Sequence, residues 1–386
     1  MSKVPAGWGN YSVGELFDVQ LGKMLNQPAK QKQPQYRYLG NSNVKWGRFE
    51  FSNLNTMHFS EKEIEKFTLN EGDILMCEGG EVGRCAIWRG NDEVIFYQKA
   101  LHRLRSKGKI NPEFFQNIMQ NIAGTKHLDD FSTRTSIAHL TREKLLKLKV
   151  NVPPLPEQTK IAQILSTWDK AIATTEKLIG NSQQQKKALM QSLLTGKRRL
   201  PGFEGEWKMT SLKNIVSVTY GKSPKDIIQE DGMYPVIGTG GVTGWTDKYL
   251  SSDKSVILGR KGTIDRPVLI GTPFWAIDTT FYCQSFNGTD ITWFYYFVSN
   301  INLRIYNEAS GVPSISRENL YAIQFKLPPL PEQQKIAAVL TAADNEIELL
   351  QKKLAFLKQE KAALMQQLLT GKRRVKINAT EECMDA

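Results

Sequence analysis

The sequence predicts an α+β protein in which two mixed α/β domains are separated by two long helices that form an antiparallel coiled coil. The first observation behind this prediction is a long stretch that occurs twice. Pro153 and Gly196 recur as Pro328 and Gly371, each at an offset of 175 positions. The second is that apolar residues in both copies alternate at spacings of four and three, the pattern of a heptad seam. The duplication predicts that the two halves of the chain are related to each other by an internal pseudo-twofold axis.

The segment boundaries follow from these repeats. The motif Pro-Pro-Leu-Pro cannot lie inside a helix, but proline suits a first helical turn, so each long helix begins at this motif. Glycine is a natural residue to end a helix, and each copy closes with Thr-Gly-Lys-Arg-Arg. If the ends of the second domain lie close together, the two helices fold back antiparallel. The predicted segments are a first globular domain at 1–152, a first spacer helix at 153–200, a second globular domain at 201–327, a second spacer helix at 328–374 and a flexible tail at 375–386.

Both globular domains contain short apolar runs separated by Gly, Asn and Lys clusters, which predicts strands joined by turns. The run Tyr-Ser-Val-Gly-Glu-Leu-Phe-Asp-Val at 11–19 is interpreted as strand. The stretch that Thr141 begins has the pattern of a short helix with that threonine as its N-cap. The second domain echoes the first, because Trp8 and Trp207 each precede a Gly-Lys pair by 14 positions.

The two spacer helices have matching seams over more than five heptads, which favours pairing with each other. Two unrelated amphipathic helices, each packed on its own domain, remain the alternative. The seam of the first helix comprises Ile161, Leu165, Trp168, Ile172, Ile179, Leu189 and Leu193. The seam of the second comprises Ile336, Leu340, Ile347, Leu350, Leu354, Leu357, Leu364 and Leu368. Both seams also carry a lysine at the same place, Lys186 and Lys361.

Bulk composition favours a polyanionic partner. The 386 residues carry a formal net charge of +12, which indicates nucleic acid more than an acidic small molecule, although a basic chain can also simply be soluble. Hydrophobic residues make up 40% of the chain, so it is expected to be globular rather than disordered.

The cysteines and the hydropathy indicate a protein of the reducing cytoplasm without a membrane span. Cys77, Cys85, Cys283 and Cys383 lack metal-ligand spacing, and free thiols are the simplest account of them. The beginning of the sequence has no apolar stretch of the signal-peptide type, and no run of about 18 apolar residues occurs.

No motif for chemistry is present in the sequence. The Gly-Lys pairs lack the earlier glycine of a phosphate-binding loop, and neither a zinc-protease, a nucleophile-elbow nor a dinucleotide-binding pattern occurs. The four histidines are scattered, and the second domain has none. We therefore predict no catalytic residue, no metal site and no cofactor bound by this chain.

Basic and aromatic residues interleave in both globular domains, as expected for a DNA-binding protein. Arginine suits bidentate contact with guanine, and both Lys and Arg bind phosphates without reading sequence. For any one of these residues, a solvated surface charge is an equally good interpretation. The candidates are Lys23, Arg37, Trp46, Arg48, Arg84, Arg103, Arg105 and Arg134 in the first domain, and Lys222, Lys225, Trp245, Arg260, Lys261, Arg266, Arg304 and Arg317 in the second.

Two diverged domains, each closed by a Pro-Pro-Leu-Pro-Glu-Gln helix start and an Ala-Leu-Met-Gln-x-Leu-Leu-Thr-Gly-Lys-Arg-Arg helix end, resemble the specificity subunit of type I restriction-modification systems. The resemblance covers the chain to about Arg374. It implies that 1–152 and 201–327 are target recognition domains, each reading one half of a split site in double-stranded DNA. It also implies that the helices act as a ruler and as the docking surface for two modification subunits.

In that family, modification subunits carry S-adenosylmethionine and methylate adenine, and restriction subunits supply ATP- and Mg²⁺-dependent cleavage of foreign DNA. The resemblance therefore implies a non-catalytic subunit of a methyltransferase and endonuclease complex. The alternatives are an orphan or regulatory DNA-binding protein of the same architecture, and a coiled-coil scaffold whose end domains bind protein or glycan. Base-reading residues vary within the family and are not carried over.

Overall fold

The computed structural model describes residues 4–125, 128, 139–286 and 288–377. The chain divides into two compact units, with Met1–Thr174 and Leu354–Ala386 in unit 1 and Thr175–Lys353 in unit 2. The sequence placed the long helices in segments of their own. The unit division instead passes through the middle of both helices, because their ends pack into the globular cores.

The helices of the described residues begin and end as follows: α1 Val13–Leu16, α2 Gln27–Gln31, α3 Glu61–Phe67, α4 Pro112–Ile122, α5 Arg142–Lys147, α6 Leu155–Leu193, α7 Ile291–Asn300, α8 Arg317–Ala322 and α9 Leu330–Leu368. Helices α6 and α9 are 39 residues long each, so the predicted equality of length holds. Thr141 caps α5 as predicted, accepting a hydrogen bond from the Lys144 amide.

Unit 1 contains an antiparallel four-stranded sheet in the order β2-β10-β7-β8, a three-stranded sheet β6-β3-β9 and the pairs β1-β11 and β4-β5. Strand β9 lies parallel to β3, and the other pairs in these sheets are antiparallel. The strands are β1 Gly9–Ser12, β2 Phe17–Leu21, β3 Gln35–Leu39, β4 Val44–Lys45, β5 Arg48–Phe49, β6 Asn55–His58, β7 Ile74–Cys77, β8 Cys85–Ile87, β9 Phe96–Tyr97, β10 Leu101–Ser106 and β11 Lys149–Val152.

Unit 2 repeats this topology with an antiparallel sheet β13-β19-β16-β17, a three-stranded sheet β15-β14-β18 and the pair β12-β20. Strand β18 is parallel to β14, as β9 is to β3. The strands are β12 Lys208–Ser211, β13 Val216–Tyr220, β14 Tyr234–Gly238, β15 Gly241–Thr246, β16 Ser255–Gly259, β17 Val268–Ile270, β18 Trp275–Ala276, β19 Thr280–Ser285 and β20 Gln324–Leu327. The α+β fold with internal duplication is therefore confirmed.

The run at 11–19 is not one strand, contrary to the prediction. Helix α1 interrupts it, and the Glu15 carboxylate accepts hydrogen bonds from the Ser12 amide and hydroxyl at 2.7 and 2.6 Å. This reciprocal cap favours a helical turn over extended backbone. The turn separates β1, which pairs with β11, from β2, which enters the four-stranded sheet.

The ends of the long helices belong to the cores of the units. In unit 1, Ile161 and Leu165 of α6 and Leu368 of α9 are buried with the side chains around the four-stranded sheet. In unit 2, Leu193 of α6 and Leu340 of α9 are buried in the corresponding core. The helices therefore form part of each domain, and the alternative of two unrelated helices is set aside.

Candidate nucleic-acid interface and spacer helices

The buried glutamate of the Pro-Pro-Leu-Pro-Glu-Gln motif forms an ion pair with the last arginine of the other repeat, whose side chain is partly exposed. In unit 1, Arg374 Nε and Nη2 donate to the two carboxylate oxygens of Glu157, both at 2.6 Å. In unit 2, Arg199 makes the same bidentate contact with Glu332 at 2.5 and 2.7 Å. Glu157 is 1% exposed and Glu332 is fully buried. The bond to the carboxylate raises the pKa of each arginine. We call each pair a clasp.

A buried tryptophan lies beside each clasp. The Arg199 guanidinium lies 5.4 Å from the centre of the Trp207 ring, and Arg374 lies 6.0 Å from Trp8. Trp207 Nε1 also donates to the Glu332 carboxylate at 3.0 Å, whereas the buried Trp8 Nε1 has no hydrogen-bond partner. The two tryptophans that marked the repeat in the sequence therefore occupy equivalent places. The hydrogen bond from tryptophan to glutamate is present in unit 2 and missing in unit 1.

The glutamine of the same motif fixes the start of the following helix to its domain. Gln158 accepts a hydrogen bond from the Asn111 amide at 2.8 Å and donates to the Pro153 carbonyl at 2.8 Å. Gln333 makes the equivalent bonds with the Asp290 amide and the Pro328 carbonyl. Sequence reasoning missed this role, because a single glutamine after a helix start carries no chemical signature.

The matched seam lysines form ion pairs between the long helices within each unit. Lys361 Nζ lies 2.6 Å from Asp169 in unit 1, and Lys186 Nζ lies 2.5 Å from Asp344 in unit 2. Lys361 is only 9% exposed. Together with the clasps, these contacts show that the helix segments in each unit run antiparallel.

The predicted seam lies on the inward faces of both helices, where every seam residue is buried or half-buried. Buried members occur near the helix ends and also near the middle of each helix, where Ile179 and Ile347 lie. The buried members are Ile161, Leu165, Ile179, Leu193, Ile336, Leu340, Ile347 and Leu368. The half-buried members are Trp168, Ile172, Leu189, Leu350, Leu354, Leu357 and Leu364.

Two of the DNA-contact candidates in unit 1 serve the fold instead. Arg103 is 5% exposed and donates from Nη2 to Asp18 at 2.6 Å. Arg105 makes a bidentate contact with the buried Asp73, at 2.8 and 2.7 Å. A guanidinium paired with a carboxylate of its own domain is less available to a phosphate, so these two arginines are weaker candidates for DNA contact than unpaired ones.

The aromatic and basic candidates around Lys23 and Arg84 are also held by protein partners. Lys23 Nζ lies 2.6 Å from Glu63, and its side chain is mostly buried. Arg84 Nη1 and Trp46 Nε1 share the Glu81 carboxylate at 3.1 and 2.5 Å. The side chains of these three candidates are therefore held by glutamates of unit 1 and do not extend freely into solvent.

Two candidates of unit 1 remain exposed. Arg37 on β3 pairs with Glu93 at 2.8 Å, and Arg48 on β5 is exposed to solvent. Arg134 lies outside the described residues. Unit 1 therefore has few freely exposed arginines among the candidates that the structure describes.

Most of the candidates in unit 2 reach the surface. Trp245 lies on β15 with a large exposed face, and Arg304 is exposed beside Asp265 at 2.6 Å. The hydrogen bond from Arg304 lowers the pKa of Asp265. The others are exposed side chains, namely Lys222, Lys225, Lys261 and Arg266.

Arg260 and Arg317 of unit 2 lie over the same aromatic ring. Their guanidinium carbons are 5.1 and 5.2 Å from the centre of the Tyr220 ring, which ends strand β13. Tyr220 is 39% exposed. It was not among the sequence candidates, because nothing local distinguishes it from a tyrosine of the core.

The repeated Gly-Lys pairs follow from close packing and not from a phosphate-binding loop. A Cβ atom on Gly22 would lie 2.3 Å from the Gln98 carbonyl oxygen, and one on Gly221 would lie 2.1 Å from that of Ile277. Only glycine allows this approach. The pairs therefore mark the point where the chain leaves the edge of the four-stranded sheet and passes the three-stranded one.

Neither a metal-binding cluster nor a membrane-spanning helix occurs in the described part of the chain. No cluster of His, Cys, Asp and Glu among these residues could hold a metal ion. None of their helices is long and apolar enough to cross a membrane. Cys77, Cys85 and Cys283 are free and buried, and burial raises the pKa of each thiol.

Comparison with known proteins gives a consistent result. A family model described as the type I restriction modification DNA specificity domain matches residues 5–181 and again 204–359. The putative type I restriction enzyme MjaX specificity subunit of Methanocaldococcus jannaschii is 26% identical over 353 residues, covering 82% of each chain. The MjaVIII specificity subunit of the same organism is 26% identical over 418 residues, covering 97% of this chain and 95% of that protein.

Solved structures share the fold. The type I restriction-modification S subunit from M. genitalium superposes with a TM-score of 0.64 at 18% identity, covering 94% of this chain and 96% of that one. A chain from work on complex assembly and conformational transition of the type I R-M system superposes with a TM-score of 0.61 at 17% sequence identity. The match covers 97% of this chain and all of the other.

Proposed function

Because this chain belongs to the type I restriction modification DNA specificity family, we propose that it reads a DNA sequence in two parts, one with each unit, on behalf of methyltransferase subunits. The observation that carries the proposal is that the family match occurs twice, once for each globular domain. Each copy contains its own four-stranded sheet and its own Pro-Pro-Leu-Pro-Glu-Gln helix start. A chain with two complete recognition domains has the parts needed to read two half-sites.

Specificity subunits are non-catalytic, and the chemistry is proposed to lie on partner subunits. We expect two modification subunits to bind the long helices and to carry S-adenosylmethionine for adenine methylation. We expect restriction subunits, with ATP and Mg²⁺, to join through that core. The DNA-specificity relatives support this division, and exposed apolar side chains on the long helices, such as Leu349 and Phe356, offer contact surface.

The electrostatics support double-stranded DNA as the ligand. The net charge of +12 is accompanied by exposed basic side chains on both globular domains. The candidates that remain exposed are Arg37 and Arg48 in unit 1, and Lys222, Lys225, Lys261, Arg266 and Arg304 in unit 2 with Trp245 beside them. Lysines and arginines of this kind bind phosphates and position a protein on the duplex.

Methylome sequencing tests the proposal directly. The chain is expressed together with a type I modification subunit in cells without other adenine methylation, and methylated adenines are mapped genome-wide. We expect one motif made of two short defined parts separated by an undefined gap of fixed length. A continuous motif would contradict two-part reading. An unmethylated genome, with no modification subunit co-purifying, would favour an orphan DNA-binding protein.

A further inference from the structure

We propose that Tyr220, Arg260 and Arg317 form a phosphate-binding site on unit 2 that takes one phosphodiester group of duplex DNA. Unit 1 lacks this site. The inference rests on the proposed DNA-binding function and adds to it a ligand group and a set of contacting residues. It gives unit 2 a contact with the DNA backbone that unit 1 does not make.

Three elements of unit 2 bring the site together. Tyr220 is the last residue of the edge strand β13, and its ring packs on Phe281 of β19 with centroids 5.0 Å apart. Arg260 directly follows β16, on the other side of β19. Arg317 begins helix α8, which the Tyr321 hydroxyl attaches to β13 by accepting the Val218 amide at 2.9 Å.

The two arginines keep donor groups available. Arg260 Nη1 donates to the Asp278 backbone carbonyl at 3.2 Å, which leaves its charge unneutralised by this contact. Arg317 has a carboxylate partner, Glu318, but at 3.5 Å and with both side chains exposed. An ion pair of this kind contributes little to stability. The site therefore presents more positive charge than its own carboxylates neutralise.

The arrangement concentrates positive charge around one aromatic ring. Arg260 and Arg317 each lie about 5 Å from the centre of one ring, so their guanidinium carbons are at most about 10 Å apart, a distance at which two like charges still repel each other at low salt. Exposed Lys222 and Lys261 lie next to Gly221 and Arg260 in sequence and add to the positive potential. A phosphate oxygen can accept hydrogen bonds from both guanidinium groups, which would remove the repulsion.

The equivalent place in unit 1 has different chemistry. The strand pairing of β2 with β10 places Leu21 opposite His102, where unit 2 has Tyr220 opposite Phe281. Arg142, the counterpart of Arg317 at the start of α5, donates from Nε to the Val19 carbonyl at 2.8 Å. Its guanidinium is thereby tied to the edge strand, whereas Arg317 is free to stack on the tyrosine.

The test measures the salt dependence of DNA binding by the full chain. Fluorescein-labelled duplexes of two unrelated sequences are titrated by anisotropy, between about 50 and about 200 mM salt. The variants are the double substitution Arg260→Met with Arg317→Met, and Tyr220→Leu, which installs the residue of unit 1. A matched control, Lys208→Met with Lys326→Met, removes the same charge from exposed positions on β12 and β20.

The logarithm of the association constant falls linearly with the logarithm of the salt concentration, and the double arginine variant is expected to make this slope less steep by about one. Its affinity should therefore fall about threefold less than that of the wild type across this range. The loss should be equal for both duplexes, because a phosphate contact reads no sequence. Tyr220→Leu is expected to weaken binding about two- to fivefold, whereas Tyr220→Phe, which keeps the ring, leaves it unchanged. The lysine control should keep the wild-type slope.

The possible failures are distinguishable. Wild-type chain that binds neither duplex overturns the DNA-binding function and the site together. Wild-type binding with an unchanged slope in the double arginine variant overturns the site alone. A loss confined to one of the two duplexes also overturns it, because that result indicates contact with a base.

Discussion

In unit 1 the edge strand of the main sheet ends in Leu21, and in unit 2 it ends in Tyr220 under two arginines. The residue that follows β7 in unit 1 is Glu78, whereas Arg260 follows β16 in unit 2. The same framework thus carries opposite charge at one place on its surface. A negative position in one copy and a positive position in the other would be surprising if both units made identical contacts with DNA.

The interiors of the two units differ far less. Each has a buried glutamate held by a bidentate arginine, a glutamine tied to the next helix and a lysine paired across the long helices. The glutamates and glutamines among these groups are buried and need specific partners, so few substitutions are expected to be tolerated there. At the ends of the edge strands, by contrast, the two units carry different residues, Leu21 in unit 1 and the partly exposed Tyr220 in unit 2. The comparison indicates that recognition diverges at these edges while the helix attachments stay fixed.

The largest expected effect comes from exchanging one recognition domain. Replacing 201–327 with the corresponding segment of another specificity subunit should change one half of the methylated motif completely and leave the other half and the gap unaltered. The clasp residues Arg199 and Glu332 lie outside the exchanged segment, so the helix attachment is retained. Methylome sequencing reads the result, and a change in both halves would show that the units do not read independently.

The equal length of the helices predicts a ruler. One in-register heptad inserted after Thr174 and another after Lys353, where the unit division crosses each helix, should leave the contacts within each unit intact. Each long helix should lengthen by about 10 Å. At about 3.4 Å per base pair, the gap in the motif should grow by about three base pairs with both halves unchanged. A folded protein with an unaltered gap would contradict the ruler.

The clasps should differ in strength between the units. Arg374→Met leaves the buried Glu157 carboxylate unpaired and should lower the free energy of unfolding by about 3 kcal/mol. Arg199→Met should cost about 1 kcal/mol less, because Trp207 still donates to Glu332. Urea denaturation followed by tryptophan fluorescence measures both losses.

Two further variants complete this measurement. Arg374→Met combined with Glu157→Gln should recover part of the loss, since no buried charge remains. Arg304→Met, at an exposed arginine, should change stability by no more than about 0.5 kcal/mol. Equal losses for Arg199→Met and Arg374→Met would mean that the tryptophan bond has no effect.

The smallest expected effect is a pH dependence confined to unit 1. Burial lowers the pKa of His102 from its ordinary value of 6.5. As the pH falls, the unfolded chain therefore takes up the proton first, and unit 1 should lose up to about 1.4 kcal/mol of stability per pH unit below about 6.5. Phe281, the counterpart in unit 2, does not titrate.

The variant His102→Gln isolates this contribution, because glutamine can still donate to the Leu140 carbonyl that His102 Nε2 contacts at 2.9 Å. Urea midpoints at about pH 7.5 and about pH 5.5 should fall further apart in the wild type than in the variant. The same pH dependence in both proteins would assign it to other groups.

The duplication and the helix lengths could be predicted because they are expressed in local pattern, and the antiparallel direction followed from the assumption that the ends of the second domain lie close together. A fixed offset and a heptad spacing are visible in the sequence without any knowledge of distant contacts. The clasps could not be predicted in this way. Glu157 and Arg374 are far apart in the chain, and each is by itself an ordinary charged residue near a helix end.

Basic candidates could not be sorted by sequence alone, since an arginine on a strand looks the same whether buried or exposed. Arg103 is buried and paired with Asp18, a residue of the neighbouring strand, whereas the partly exposed Arg105 is paired with Asp73, which precedes another strand. Arg317 is placed over Tyr220 because Tyr321 attaches α8 to the edge strand. In each case the decisive partner comes from a different element of the fold.

The clasp of unit 1 has a consequence for the order of the chain. Arg374 Nη1 donates to the Ala6 carbonyl at 2.7 Å, and Arg199 Nη1 makes the same bond to Gly205 at 2.6 Å. In unit 2 a short covalent connection joins these two residues, and in unit 1 only the hydrogen bond does. The two clasp regions are therefore equivalent, except that a short covalent connection crosses only the one in unit 2. A circularly permuted gene that joins 375 to 5 through a short linker and opens the chain between 200 and 206 is expected to keep both clasps, so either recognition domain can come first.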